Sequence, residues 1–250
     1  MLAFVRLEPS ARCEKIAIAG TDIHVWAFTL GESEAVVEAW REFLSDDEKN
    51  RADRFVFRRD KDHWTVARGA LRSLLARYCG VDPAALAFRY APAGKPSIAR
   101  IEADGEEPVM FNLAHSHDRA LLALARGREI GVDLERERDD FDPLPIARRF
   151  FFGAELAAIQ AAAPGMRRDL FFRLWVAKEA VLKANGAGLS RALDSFGVSF
   201  NSEGSIARVR SSGSAAALDE ALVVRTLPLA TGWHGAVAAS GDDWRLRFPA

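Results

Sequence analysis

Cysteine is nearly missing from this chain. Cys13 and Cys79 are the only two in 250 residues, far apart and in no metal-type spacing. That argues against a disulfide-stapled secreted scaffold and against a cysteine zinc site. It sets the expectation of a reduced, cytoplasmic compartment. Long apolar runs are missing too. No segment approaches 18 uninterrupted apolar residues, and the opening MLAFVRLEPSARCEK holds too short an apolar stretch for a secretory signal. A charge excess of either sign is also lacking. Thirty-four basic and 35 acidic side chains leave a formal charge of −1, which points to neither nucleic acid nor a membrane surface as partner. There is no low-complexity tract and no GxxxxGK[ST] phosphate loop. What remains is 49% hydrophobic composition over 250 residues, enough for one large core or two of half the size.

The pattern is mixed. DIHVWAFT (Asp22 to Thr29) alternates as a strand should, and a helix is expected over Glu34 to Phe43. Ser45 opens SDDEKNRADRF, with Glu48 three places on as in a capping box and acids filling the first turn. A longer helix, about Lys61 to Tyr78, ends at Gly80, a residue suited to a left-handed stop. Strand-like runs follow at Leu86 to Tyr90, Val109 to Leu113, Ala120 to Ala125 and Glu129 to Leu134. The Ser/Gly/Ala stretch from Ser211 to Ala217 is expected as a surface loop.

The second half resembles the first. Ala52 to Phe57 (ADRFVF) matches Ala147 to Phe152 (ARRFFF), and Trp64 to Arg72 overlays Trp175 to Lys183 without a gap. Similarity in fixed order marks a duplicated unit, so the expectation is two α+β halves, 1–128 and 129–250, with the site in the cleft between them. In this overlay Arg68 of one half stands where Glu179 stands in the other.

Four segments carry the chemistry. In Ile130-Gly131-Val132-Asp133-Leu134-Glu135, alternation puts Gly131, Asp133 and Glu135 on one face, with carboxylates about 7 Å apart at Cβ, close enough for both to reach one hard cation. Gly131 on that face suggests room for a ligand. In the helix that includes Phe171-Phe-Arg-Leu-Trp175-Val-Ala-Lys178-Glu179 and Lys183, the apolar side chains gather on one side. Lys178 falls inside that stripe, where a lysine is costly unless its head reaches an anion or water. Glu179 and Lys183 lie one turn apart beside it, which also suits a simple surface ion pair. Gly94-Lys95-Pro96 presents a lysine from a tight loop. Phe111-Asn112-Leu113-Ala114-His115-Ser116-His117 runs from strand into polar residues. Its two histidines find no third ligand for zinc.

GKP, FNLAHS, GVDLE and WVAKEAVLKANGAGL, in this order and at about these distances, resemble the Sfp-type 4'-phosphopantetheinyl transferases from about Ser45 to Phe200. The resemblance implies two pseudo-symmetric α+β subdomains with the active site at their interface. It implies transfer of the phosphopantetheine of coenzyme A to a serine of an acyl or peptidyl carrier protein, with 3',5'-ADP released. It also implies a cofactor Mg2+, with Mn2+ as the alternative, bound by Asp133, Glu135 and Glu179. Glu179 would act as base with Lys183 beside it. Lys178 and Lys183 would contact the pyrophosphate, and Lys95, His115 and Arg51 the adenosine end and its 3'-phosphate. Arg68 is added from the repeat. Arg148, Arg149, Arg167 and Arg168 are candidates for carrier docking. A monomer is expected, because a duplicated chain supplies both cleft walls. Three positions depart from the family pattern: Ala114 and Val176, each usually a hydroxyl residue, and His117, usually glycine. A different magnesium-dependent phosphoryl transferase, or a binding scaffold without activity, are the competing readings.

Overall fold

The computed structural model describes residues 1–10, 14–99, 107–138, 140–186, 191–211 and 221–249. The expected Ser211 to Ala217 loop falls almost wholly outside the described residues, as does the GAGL stretch after Asn185.

Two halves repeat element for element. The first runs β1 (Asp22–Thr29), α1 (Glu34–Arg41), α2 (Asp46–Ala52), α3 (Arg58–Cys79), β2 (Phe88–Tyr90), β3 (Pro96–Ile98), β4 (Val109–Ser116) and β5 (Arg119–Arg126). The second runs β6 (Ile130–Arg136), α4 (Pro143–Phe150), α5 (Gly153–Ala161), α6 (Arg167–Asn185), β7 (Phe196–Phe200), β8 (Ile206–Ser211), β9 (Leu222–Thr226) and β10 (Trp233–Ser240). Pairing repeats as well: β1 lies antiparallel to β5 as β6 does to β10, β5 to β4 as β10 to β9, and β2 to β3 as β7 to β8. In the second half β8 also joins β9, giving a sheet of order β6-β10-β9-β8-β7, whereas β2 and β3 form a separate ribbon. A last strand, β11 (Arg245–Arg247), returns to the first half and pairs parallel with β1, completing the order β11-β1-β5-β4.

The long helices end alike. α3 stops at Gly80 (φ 67°) and α6 at Gly186 (φ 64°), both in the left-handed conformation that glycine adopts without steric cost. α3 packs on one face of the first sheet, with Leu71, Leu74 and Leu75 against Phe28 and Leu122. α6 packs on one face of the second, with Ala177, Val181 and Leu182 among Val224, Ala236 and Ala238. A third core, including Val25, Leu121, Val132, Leu134 and Val237, lies where the two sheets meet. The layers are therefore helix, sheet, sheet, helix, with apolar surface removed from water on both faces of each sheet.

Each half also buries one carboxylate from the third residue of its middle helix. Glu48 of α2 accepts from the Ser45 amide and holds Arg68 and Arg72 of α3 at 2.5 and 2.6 Å. Glu155 of α5 accepts from the Phe152 amide and holds Lys178 of α6. The capping-box position thus does two tasks, tying a short helix to its own backbone and to a cation on the long helix behind it.

Candidate active site

Among the described residues β6 is an edge strand, hydrogen-bonded only to β10 in its sheet, so its other edge needs partners. β4 supplies them from alternate side chains. Asn112 Oδ1 accepts from the Val132 amide at 2.9 Å, and Ser116 Oγ accepts from the Arg136 amide at 3.3 Å. Ser116 Oγ also donates to Glu135 Oε2 at 3.0 Å. Asn112 and Ser116 are both buried. They were part of a legible motif, yet their function as a lateral clamp between the halves was not, because it depends on which edge of β6 lies open. Between them Ala114 is buried in the core between the sheets.

On the face of β6 opposite that core, alternation places Gly131, Asp133 and Glu135 toward α6. The contact at Gly131 is close: a Cβ there would stand 2.1 Å from the Ala180 carbonyl oxygen and 2.4 Å from the Ala184 amide nitrogen. The expectation that Gly131 leaves space for a ligand is corrected accordingly; α6 occupies the space, and the glycine is what lets helix and strand meet. That approach brings Lys183 Nζ to 2.5 Å from Asp133 Oδ1. Asp133 Oδ2, in contrast, is buried with no hydrogen-bond partner among the described residues.

Three carboxylates share this corner and repel one another. Burial, then the charge of Asp133, pushes the Glu135 carboxyl up to about 6, with Glu179 adding to the effect. Burial and Asp133 likewise raise Glu179. Burial raises Asp133 itself, with Lys183 opposing. Among the described residues no three His, Cys, Asp or Glu side chains stand grouped so as to hold a metal as they are placed; the ammonium of Lys183 supplies the positive charge at Asp133. The donor set nonetheless suits a hard cation: carboxylate oxygens, one of them orphaned and buried, all three groups held above their ordinary pKa by burial, with the charge of Asp133 adding to this at Glu135 and Glu179.

The main cleft, about 950 Å3, opens beside this corner. Its walls come almost entirely from the first half and include Arg51, Arg59, His63, Trp64, Arg68 and His115, with Arg136 contributed by β6. Arg51 lies over the Trp64 ring at 5.7 Å. His115 is held below the ordinary histidine range by burial and by the positive Lys183 and His63. His117, at φ 54°, opens the two-residue turn between β4 and β5 and lines the same cleft; a left-handed residue is needed there, which is glycine's usual place. Asp133, Glu135 and Glu179 are not cleft walls. Glu135 adjoins it in the chain, next to the wall residue Arg136, and is bonded to Ser116, which lies between the wall residues His115 and His117.

Two expected ligand contacts look different in three dimensions. Lys178 is fully buried, with Nζ 2.9 and 2.8 Å from the Glu155 oxygens and 2.5 Å from the Phe196 carbonyl, on the side of α6 away from Asp133. The assignment of Lys178 to the pyrophosphate is thereby corrected. The anion that a lysine in an apolar stripe requires is the protein's own Glu155, and a side chain with no exposed surface reaches no ligand. Arg68 does border the cleft, but its guanidinium is bonded to Glu48 and Tyr90 and lies 4.1 Å over the Phe88 ring, so its charge is already matched. Lys95 donates to the Ala184 carbonyl at 2.8 Å and to Glu129 at 2.7 Å. It ties the loop to the end of α6 and retains a third donor.

Known proteins of similar sequence agree with a duplicated transferase. The sequence model described as "4'-phosphopantetheinyl transferase superfamily" matches residues 129–237, and the one described as "4'-phosphopantetheinyl transferase, N-terminal" matches residues 32–126. The chain belongs to the 4'-phosphopantetheinyl transferase superfamily. Among its relatives, the 4'-phosphopantetheinyl transferase HetI of Nostoc sp. is 36% identical over 70% of this chain and 73% of that protein. Sfp of Bacillus subtilis is 29% identical over 68% and 72%. The human L-aminoadipate-semialdehyde dehydrogenase-phosphopantetheinyl transferase is 27% identical over 66% and 56%. The chain is an enzyme of that kind, a transferase of phosphopantetheine to carrier proteins.

Proposed function

We propose that this chain transfers the 4'-phosphopantetheine of coenzyme A to the serine of an acyl or peptidyl carrier protein, releasing 3',5'-ADP. The observation that carries the site assignment is the buried Asp133 Oδ2, without a hydrogen-bond partner among the described residues, beside Glu135 and Glu179, whose carboxyls are raised by burial and by the charge of Asp133. Asp133, Glu135 and Glu179 would hold Mg2+, or Mn2+ in its place. When bound, the ion supplies positive charge for the pyrophosphate oxygens as negative charge grows on them.

The remaining chemistry belongs to side chains. The serine oxygen attacks the β-phosphorus, the bond to the bridging oxygen breaks, and the serine proton must go elsewhere. Glu179, its carboxyl raised by burial and by Asp133, accepts that proton. Lys183, one turn along α6, places its ammonium where the leaving phosphate gathers charge. Lys95, His115 and Arg51 line or border the cleft side expected to take the adenosine and its 3'-phosphate. We further propose that the chain acts as a monomer divided at about 128/129, in the cytoplasm and without nucleic-acid or membrane partners; among the described residues no helix is long and apolar enough to cross a membrane.

The test is Glu179→Gln assayed with a fluorescent coenzyme A and a panel of carrier proteins. Labelling should fall by about a thousandfold or more while circular dichroism is unchanged. Ordinary labelling rates from a folded variant remove Glu179 from the mechanism. Stabilisation of the wild-type protein by ATP but not by coenzyme A, with magnesium present, overturns the substrate assignment.

A further inference from the structure

The carboxylate corner lies between two places where α6 touches the β6–β10 pair. One is the close approach at Gly131, against the Ala180 carbonyl and the Ala184 amide. The other is His234, a buried histidine that no step of the transfer uses. In the sheet register His234 of β10 stands opposite Glu135, as Ala236 stands opposite Asp133, and residues so paired point to the same face. On that face the His234 ring lies nearly flat against the Phe172 ring of α6, with centroids 5.6 Å apart and planes 16° from parallel. Its Nε2 donates to Glu137 Oε2 at 3.2 Å. Glu137 is held in turn. Its amide donates to the Gly232 carbonyl at 2.8 Å, and its Oε1 lies 3.8 Å from Arg168 Nε in the first turn of α6.

We propose that His234 is a positioning residue, a ring wedged between β10 and α6 that sets the gap between Glu135 and Glu179 and so fits the pair to one divalent ion. The proposal rests on the transferase reading above, in which those two carboxylates share Mg2+ with Asp133. Its basis is the shape of the space between strand and helix. β6 and α6 run in opposite senses, so the contacts of α6 with Gly131 and with His234 fall at opposite ends of the corner. Phe172 and Ala180 lie about 12 Å apart along the axis of α6, and Glu179 falls between them. At the Gly131 end there is no side chain, and backbone meets backbone. At the His234 end two stacked rings stand between sheet and helix. The gap is therefore a wedge, closed at one end by a glycine and held open at the other by an imidazole whose orientation Glu137 fixes. Asp133, opposite the small Ala236, sits toward the narrow end beside Lys183, and Glu135, opposite the ring, toward the wide one. A helix pinned at both ends cannot tilt, and tilt is the motion that would move Glu179 relative to Glu135.

Electron paramagnetic resonance, which reads free Mn2+, follows binding of that ion to the intact chain with coenzyme A present. His234→Ala should raise the Mn2+ Kd about tenfold, the size of effect found for residues that orient metal ligands. His234→Phe keeps a flat ring against Phe172 and should stay within about twofold of wild type. In transfer assays His234→Ala should raise the KM for magnesium, with kcat recovering at saturating magnesium. A histidine that only fills space changes stability and leaves Mn2+ affinity alone; that result overturns the proposal. Equal weakening by the Ala and Phe variants also overturns it, because the bond to Glu137 and not the ring then sets the gap. So does a fall in kcat at an unchanged KM for magnesium. If His234→Ala fails to fold, Phe172→Leu removes the other half of the stack and should weaken Mn2+ about threefold; unchanged Mn2+ affinity there is equally fatal. A wild-type chain that binds coenzyme A but no Mn2+ overturns the metal assignment itself, and this proposal with it.

Discussion

Removing the Lys178 ammonium tests whether the lysine of the WVAKE segment serves the ligand or the fold. Nζ is 2.9 and 2.8 Å from the two Glu155 oxygens and 2.5 Å from the Phe196 carbonyl, with the Phe196 ring 4.4 Å away. Neither side chain has more than 3% of its surface exposed, so solvent screens the pair little. Burial presses the Lys178 pKa down, and Glu155 acts against that. Glu155 also accepts the Phe152 and Val198 amides at 2.9 and 2.7 Å, so it joins the starts of α5 and β7 to the middle of α6. Breaking one side of such a pair leaves a buried charge and costs about 3–5 kcal/mol. For a chain of this length that is a fall in Tm of about 10 °C. Lys178→Met should show that loss in urea unfolding, with transfer per folded molecule and coenzyme A affinity close to wild type. The double variant Lys178→Met, Glu155→Gln should recover part of the stability, since the uncompensated carboxylate is gone. A Lys178→Met protein of unchanged stability that binds coenzyme A tenfold or more weaker refutes this reasoning and returns Lys178 to the pyrophosphate.

Gly131→Ala should destabilise by about 3 kcal/mol and also depress transfer, because the added methyl meets backbone atoms of α6 at 2.1 and 2.4 Å and must lift helix from strand; a variant equal to wild type in both respects removes the close contact from the design of the site. Glu135, at about 6 in the folded state against 4.5 ordinarily, binds its proton more tightly folded than unfolded. Stability of the metal-free protein should therefore fall as pH rises from 4.5 through 6 and stay at the lower level above. The rise in Tm given by magnesium needs the ionised form, so it should be full at about pH 7.5 and shrink below 6; an undiminished magnesium shift at pH 5 contradicts the assignment of Glu135 as a ligand.

Much of the architecture was legible because it is local. β1 and the stop of α3 at Gly80 follow from alternation and glycine, and the two repeated halves are legible in a pair of tryptophan-bearing helices. The residue-by-residue overlay is corrected: Ala52 to Phe57 leads from α2 into α3 whereas Ala147 to Phe152 leads from α4 into α5, and Arg68 corresponds to Lys178 and not to Glu179, each meeting the carboxylate of its middle helix. The edges were less so. β4 runs on to Ser116 and α3 begins at Arg58, past the expected ends at Leu113 and Lys61, because sheet pairing and packing extend elements beyond their own apolar residues. The strands β8, β9 and β10 lie outside the elements expected from the sequence; their alanine- and valine-rich runs acquire strand character from the neighbours they pair with.

The amino-acid order by itself determined the two repeated units, the acidic face of β6 and the pairing of Glu179 with Lys183 along one helix edge, because periodicity sets direction within an element. Only the tertiary structure decided what each direction meets. It gave Lys178 to Glu155, filled the space above Gly131 with α6, turned Asn112 and Ser116 into the clamp on the open edge of β6, and set the ring of His234 against Phe172. Those partners lie many residues away in the chain, and no local periodicity encodes which distant element will arrive on a given face.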